Sequence, residues 1–312
     1  MNVRTLIIAG WCVAALGAPL AAQAPRPVHD LVLQRELERA VAGADGTVGV
    51  YVRNLRTGRW AGIRQDSLFP TASMIKVPIL IATWDAIARG ALRYDTVLTF
   101  ADSLRYDPDE DLFAKLRDSA KVPLDQAILM MITTSDNTAA LWLQSLCGGG
   151  TVINQWLAGH GFEHTRVNSR TEGRHDDWVA YGWGQTTPRE MTELFTLVRQ
   201  GKAVSPAASE AMYRALTRIY WNGEALSQLP PWVQAASKQG AVNQSRSETV
   251  LVNAPSGDYV FSVITKGQSD SSWVASNAGY VLIRRISALL WRHFEPRHPY
   301  TPPKGSEAYH PA

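Results

Sequence analysis

Apolar residues first recur at helical spacing just before residue 40. Leu31, Leu33, Leu37 and Val41 recur at helical spacing and the run stops at Gly43, which predicts a helix over 29–41. Two short β-type runs follow, 47–52 and 59–63, joined by Asn54-Leu55-Arg56-Thr57-Gly58, a loop with the Asn and Gly that hairpins favour. From Met74 to about Gln200 a helical period dominates, with apolar faces over 77–87, 124–133, 138–146, 152–158 and 189–198. The β pattern returns in 235–242, 248–253 and 259–265, and 277–294 reads as a closing amphipathic helix. Strands at the two ends of the chain must pair across the helical insertion. The expectation is an α+β fold: an antiparallel five-stranded sheet flanked by terminal helices, with a large all-helical lobe inserted. The expected domain is 25–295, its α/β lobe formed by 25–72 and 225–295 and its helical lobe by 73–224. The tail 296–312, with five prolines and little apolar content, is expected to be disordered.

The first 24 residues read differently. Arg4 gives a positive start, 6–20 is almost wholly apolar, and Ala22-Gln23-Ala24 is a small-residue cleavage site, so 1–24 is expected to be an export signal. An apolar run of about 15 residues falls short of the roughly 20 that span hydrocarbon, so cleavage is favoured over a stable membrane anchor. A periplasmic or secreted product follows. Cys12 would leave with the signal, and Cys147 alone cannot form an internal disulfide in the mature monomer that is expected. With 46% hydrophobic and 19% charged residues the chain is ordinarily globular, and a net charge of +3 without a Lys/Arg run argues against nucleic acid as a partner. His160, His164 and His175 lack the spacing of a zinc ligand set, so neither metal nor other cofactor is expected.

Three short motifs carry candidate chemistry. Ser73-Met74-Ile75-Lys76 lies where strand passes into helix; residues three apart there face the same way, which puts an ammonium beside a hydroxyl that needs a partner to take its proton. A helix N-terminus also offers backbone N–H groups to a developing oxyanion. Ser135-Asp136-Asn137 opens an apolar helix and suits an N-cap equally well. Lys238-Gln239-Gly240 lies in the first late strand, where glycine lets another backbone or a substrate approach closely. Each is common alone, but their order along the chain is specific.

In that order the motifs resemble those of the class A β-lactamases and, more distantly, the penicillin-binding peptidases. The resemblance extends to Asn137-Thr138-Ala139-Ala140, to 161–166 and to Thr186-Thr187-Pro188. It implies that Ser73 attacks a lactam or amide carbonyl to form an acyl-enzyme, with Lys76 as proton acceptor. Ser135 would relay a proton to the leaving nitrogen, Asn137 would bind the substrate amide, and Lys238 would hold positive charge near Ser135 and the substrate carboxylate. Gly240 and Ala241 would border the substrate, and the backbone N–H groups of Ser73 and Ala241 would meet the oxyanion. Two departures stand out. The Glu-x-x-Leu-Asn signature of the deacylating loop is absent: counting from Thr165-Arg166 puts Thr171 at the glutamate position, with Glu172 one residue away as the catalytic candidate and Asp176 or Asp177 more remote. Gln239 stands where Thr or Ser is usual, which puts carboxylate recognition in question. The leading expectation is a β-lactamase-like serine hydrolase acting on a small β-lactam. The alternatives are a D,D-peptidase or esterase acting on a peptidoglycan-like acyl donor, and a penicillin-binding sensor acylated without turnover.

Overall fold

The computed structural model describes residues 25–309, so the expected export signal lies outside the described residues. From its start the chain forms β1 (Val28–His29), α1 (Leu31–Val41), β2 (Thr47–Asn54), β3 (Arg59–Ile63), β4 (Phe69–Pro70) and α2 (Lys76–Ala88). The middle contains β5 (Val97–Thr99), β6 (Lys121–Pro123), α3 (Leu124–Thr133), α4 (Asn137–Leu146), α5 (Gly149–Gly159), β7 (Arg166–Val167), α6 (His175–Tyr181), β8 (Gly184–Thr186), α7 (Pro188–Arg199) and α8 (Pro206–Leu216). It closes with β9 (Ala235–Val242), β10 (Ser245–Val252), β11 (Tyr259–Lys266) and α9 (Ala278–Phe294).

Early and late strands do pair across the insertion. The main sheet has the order β1-β3-β2-β11-β10-β9, and β11 runs antiparallel to β2 from Tyr259↔Asn54 to Lys266↔Thr47. It has six strands rather than the expected five. The sixth arises because α1 starts at Leu31, where Asp30 caps it by accepting the Leu33 N–H at 3.1 Å, which frees Val28 and His29 to pair in parallel with Arg59 and Trp60.

Alternation along the strands sorts side chains between two cores. Tyr259, Phe261 and Val263 pack with Leu33 and Leu37 of α1 and Ile283, Ile286 and Leu290 of α9. Val260 and Ile264 instead join the larger core formed with α2, α3, α4 and α7. Helix α2 is apolar almost all round, with Lys76, Val77, Pro78, Ile79, Leu80, Ile81, Ala82 and Thr83 all buried. Such a helix belongs inside, and its first residue, Lys76, is thereby held in the interior.

Two further helices lie between the expected runs. α6 buries no residue, whereas α8, capped by Ser205 with Pro206 at its start, buries Ala208, Met212, Ala215 and Leu216. After α9, the Trp291 indole N–H bonds the His298 carbonyl at 2.8 Å, and Ser306–Tyr309 makes a 3₁₀ turn. No helix among the described residues is long and apolar enough to cross a membrane, and none of their His, Cys, Asp or Glu side chains gather in threes to hold a metal ion.

Candidate active site

Strand β4 leads into a single 3₁₀ turn, Ala72–Ile75, which continues directly as α2. Ala72 takes φ +45°, a left-handed conformation that costs a non-glycine residue on the order of 1–2 kcal/mol and that surrounding contacts must hold. In a 3₁₀ turn side chains three apart eclipse, and Lys76 Nζ accordingly lies 3.0 Å from Ser73 Oγ.

The second motif sits at the corner between α3 and α4. Asp136 caps α4, accepting the Ala139 N–H at 2.7 Å and the Phe113 N–H at 2.9 Å, while Asp111 accepts from Asn137 N, Thr138 N and Thr138 Oγ1, each at 2.8 Å. Two carboxylates thus satisfy the orphan donors of one helix start. Cap and candidate site coexist because the cap is Asp136, and its neighbours are free to turn inward. Ser135, at φ +65°, presents both its carbonyl and its hydroxyl to Lys76, the Oγ at 3.0 Å, and Asn137 Oδ1 accepts from the same Nζ at 2.7 Å.

The third motif closes the site from β9. Lys238 Nζ donates to Ser135 Oγ at 3.0 Å, so one hydroxyl bridges two buried lysines. Gly240 explains its own identity: a Cβ there would sit 2.6 Å from the Thr71 carbonyl oxygen and 2.9 Å from the Ser73 nitrogen. Only a glycine lets this strand pass so close to the Ser73 backbone. Ser73, Ser135, Asn137, Gln239, Gly240 and Ala241 line one cleft of about 680 Å³.

Electrostatics set the protonation. Burial pushes the Lys76 ammonium down to about 7 against the opposing pull of Asp111 and Asp136, so near neutrality a large share is neutral amine able to accept a proton. Lys238 is pushed well below its ordinary value, first by burial and then by Lys76. Glu248 on β10 is buried as well. Its oxygens accept from Ser237 Oγ at 2.7 Å and from the Ala225 N–H at 2.8 Å, and burial together with Glu224 raises it to about 8. Cys147, buried against Thr83, has its thiol pushed up to about 11 by burial, which marks an inert residue.

The structure therefore brings Ser73, Lys76, Ser135, Asn137, Lys238, Gly240 and Ala241 together. It does not bring Glu172 to them. Glu172 is exposed and lines a second cavity with Tyr106, Asn168, Trp178 and Trp183, and none of the hydrogen bonds around Lys76 involves it. The loop is fixed in this course by Arg174, which donates to Asn168 Oδ1 at 2.7 Å and Gln185 Oε1 at 3.0 Å and pairs with Asp177 at 3.0 Å; Asp176 is exposed. Sequence reasoning passed over Asp111, Glu224 and Glu248. The available signal was Glu248 standing inside an apolar β run, which is expensive unless partnered.

The chain matches the family described as Beta-lactamase enzyme family over residues 32–294. Beta-lactamase VEB-1 of Pseudomonas aeruginosa is 21% identical over 275 residues, covering 84% of this chain and 90% of that protein, and a Beta-lactamase of Rhodobacter capsulatus is 25% identical over 271 residues, covering 84% and 85%. The solved structure of PBP-A superposes with a TM-score of 0.78 at 26% identity, over 88% of this chain and 100% of that one, and a mutant of PBP-A has been solved as an acyl-enzyme complex with penicillin-G. With a family match over most of its length and the corresponding fold, this chain belongs to the beta-lactamase enzyme family and is a serine β-lactamase-like hydrolase.

Proposed function

We propose that the chain opens β-lactam rings through an acyl-enzyme on Ser73, and that breakdown of this acyl-enzyme is the slow step. The observation carrying the first part is the continuous Ser73-Lys76-Ser135-Lys238 chain of 3.0 Å contacts. In this reading neutral Lys76 accepts the Ser73 hydroxyl proton as Oγ attacks the lactam carbonyl. The oxyanion then meets the N–H groups of Ser73 and Ala241. As the C–N bond breaks, Ser135 passes its proton to the nitrogen and recovers one from Lys76, while Asn137 orients the substrate amide. The 25–295 domain, with its α/β and helical lobes flanking the cleft, is part of this proposal. So is export by a signal over 1–24.

The second part rests on Glu172. A base that activates the deacylating water must reach both the water and the ester, and the Glu172 side chain opens instead onto the neighbouring cavity. The test mixes the protein with a slight excess of penicillin G and follows intact mass over time. An adduct is expected to form and then decay slowly, with a lifetime that Glu172→Gln alters by less than about twofold. An increase of roughly 10²-fold, the scale of a lost general base, would make Glu172 the deacylating base and overturn this part.

A further inference from the structure

Lys238 is the cation expected to receive a substrate carboxylate, yet its donors are already used. Even as an ammonium, Lys238 has only three N–H groups. Lys238 Nζ gives them to Ser135 Oγ at 3.0 Å, to the Gln239 carbonyl at 2.9 Å and to Gln239 Oε1 at 2.8 Å. Gln239, in place of a short hydroxyl residue, folds back over the lysine. Lys76 is similarly engaged by Ser73, Ser135 and Asn137.

The other nearby cation is withdrawn too. Arg246, buried on β10, donates Nη1 to the carbonyls of Val242, Asn243 and Ser245 and Nη2 to those of Ser271 and Ser272. Trp273 and Tyr280 cover it, their ring centres 4.6 and 5.0 Å from the guanidinium carbon, and those same rings form part of the cleft wall. Among the described residues no lysine or arginine lines the cleft, whereas Glu110, Asp111, Asp136 and Glu224 do. Glu224, itself on the cleft wall, also acts on Lys238 from within the protein. An anionic group entering beside β9 therefore meets carboxylates on the cleft wall and no unengaged cationic donor. An uncharged carbonyl would find the Gln239 Nε2 amide, whose Oε1 is held by Lys238.

We propose that the β9 end of the cleft accepts acyl donors bearing an uncharged or cationic group beside the scissile amide, and disfavours a free carboxylate there, with Gln239 and Glu224 setting the preference. This rests on the acylation of Ser73 by β-lactams proposed above. The ring-opening step is unchanged: the Ser73 Oγ–carbonyl bond forms, the lactam C–N bond breaks, and the nitrogen takes the proton.

The experiment measures acylation of the full protein by penicillin G and by its methyl ester, using intact mass, each rate divided by that compound's rate of hydrolysis by hydroxide. The ester is expected to acylate faster by about tenfold or more after this correction, as like-charge juxtaposition predicts. Gln239→Thr, a change at a half-buried edge-strand position, and Glu224→Gln are each expected to lower the ester-to-acid ratio by roughly tenfold. Because Glu224 is buried and its variant risks misfolding, Gln239→Thr carries the decision. Faster acylation by the free acid in the unaltered protein, or a ratio that Gln239→Thr leaves in place, overturns the inference while leaving Ser73 acylation intact. Failure of both compounds to label removes the acylation reading itself, and this inference with it.

Discussion

Lys76→Met is expected to slow acylation of Ser73 by about 10³-fold, within the range for loss of a positioned general base. Methionine keeps most of the buried volume at the start of α2 and removes only the nitrogen that lies 3.0 Å from Ser73 Oγ and 2.7 Å from Asn137 Oδ1. The fold should survive. Burial lowers the Lys76 pKa from 10.5 to about 7, so between those values the unfolded chain holds a proton that the folded chain has released. In that window Lys76 makes stability rise with pH, and at lower pH it is a net cost. The stability of the unaltered protein relative to the methionine variant should therefore climb from about pH 7 toward 10.5, readable from denaturant titrations at several pH values. The acylation rate of the unaltered protein should climb through about pH 7, as the neutral amine becomes dominant. Acylation in Lys76→Met at the normal rate, or a rate that falls as pH rises through 7, would remove Lys76 as the proton acceptor.

Gly240→Ala is the second large effect expected. The added Cβ would lie 2.6 Å from the Thr71 carbonyl oxygen and 2.9 Å from the Ser73 nitrogen, and both are backbone atoms that cannot swing aside. Either β9 moves away from the Ser73 turn or the turn itself shifts, and in both cases the Ser73 and Ala241 N–H groups proposed to meet the oxyanion move apart. Loss of one such donor slows acyl transfer by roughly 10²–10³-fold, and this is the drop expected in the acylation rate constant for a chromogenic lactam. The loss should fall mainly on that constant rather than on substrate affinity, because the donors act on charge that develops during reaction. An alanine variant that acylates normally would show that the close approach of β9 to Ser73 does not position the oxyanion site.

What the sequence reveals follows from how local each signal is. The three motifs are legible because their chemistry needs fixed spacing: Ser73 and Lys76 stand one turn apart, and Gly240 must be glycine where β9 passes the Ser73 turn. The sheet is legible because alternation in 259–265 and 47–52 is enforced by two cores on opposite faces. β1 is not legible, since two residues carry no period and its pairing depends on the Asp30 cap three residues before Leu33. Helix α6 escapes because it buries nothing, and the course of the 168–186 loop escapes because Arg174 fixes it through Asn168, Gln185 and Asp177, contacts with no spacing rule. The charge around Lys238 is likewise a product of folding. Glu224 and Glu248 lie 24 residues apart in sequence and act on one lysine only once the sheet and its covering helix have assembled.

Opening of a β-lactam by the Ser73 hydroxyl is tested most directly by comparing turnover of a chromogenic lactam by the unaltered protein and by Ser73→Ala. Measurable ring opening with a transient adduct on the peptide containing Ser73 is expected in the first, and neither in the second. Equal turnover by the two proteins would contradict attack by Ser73.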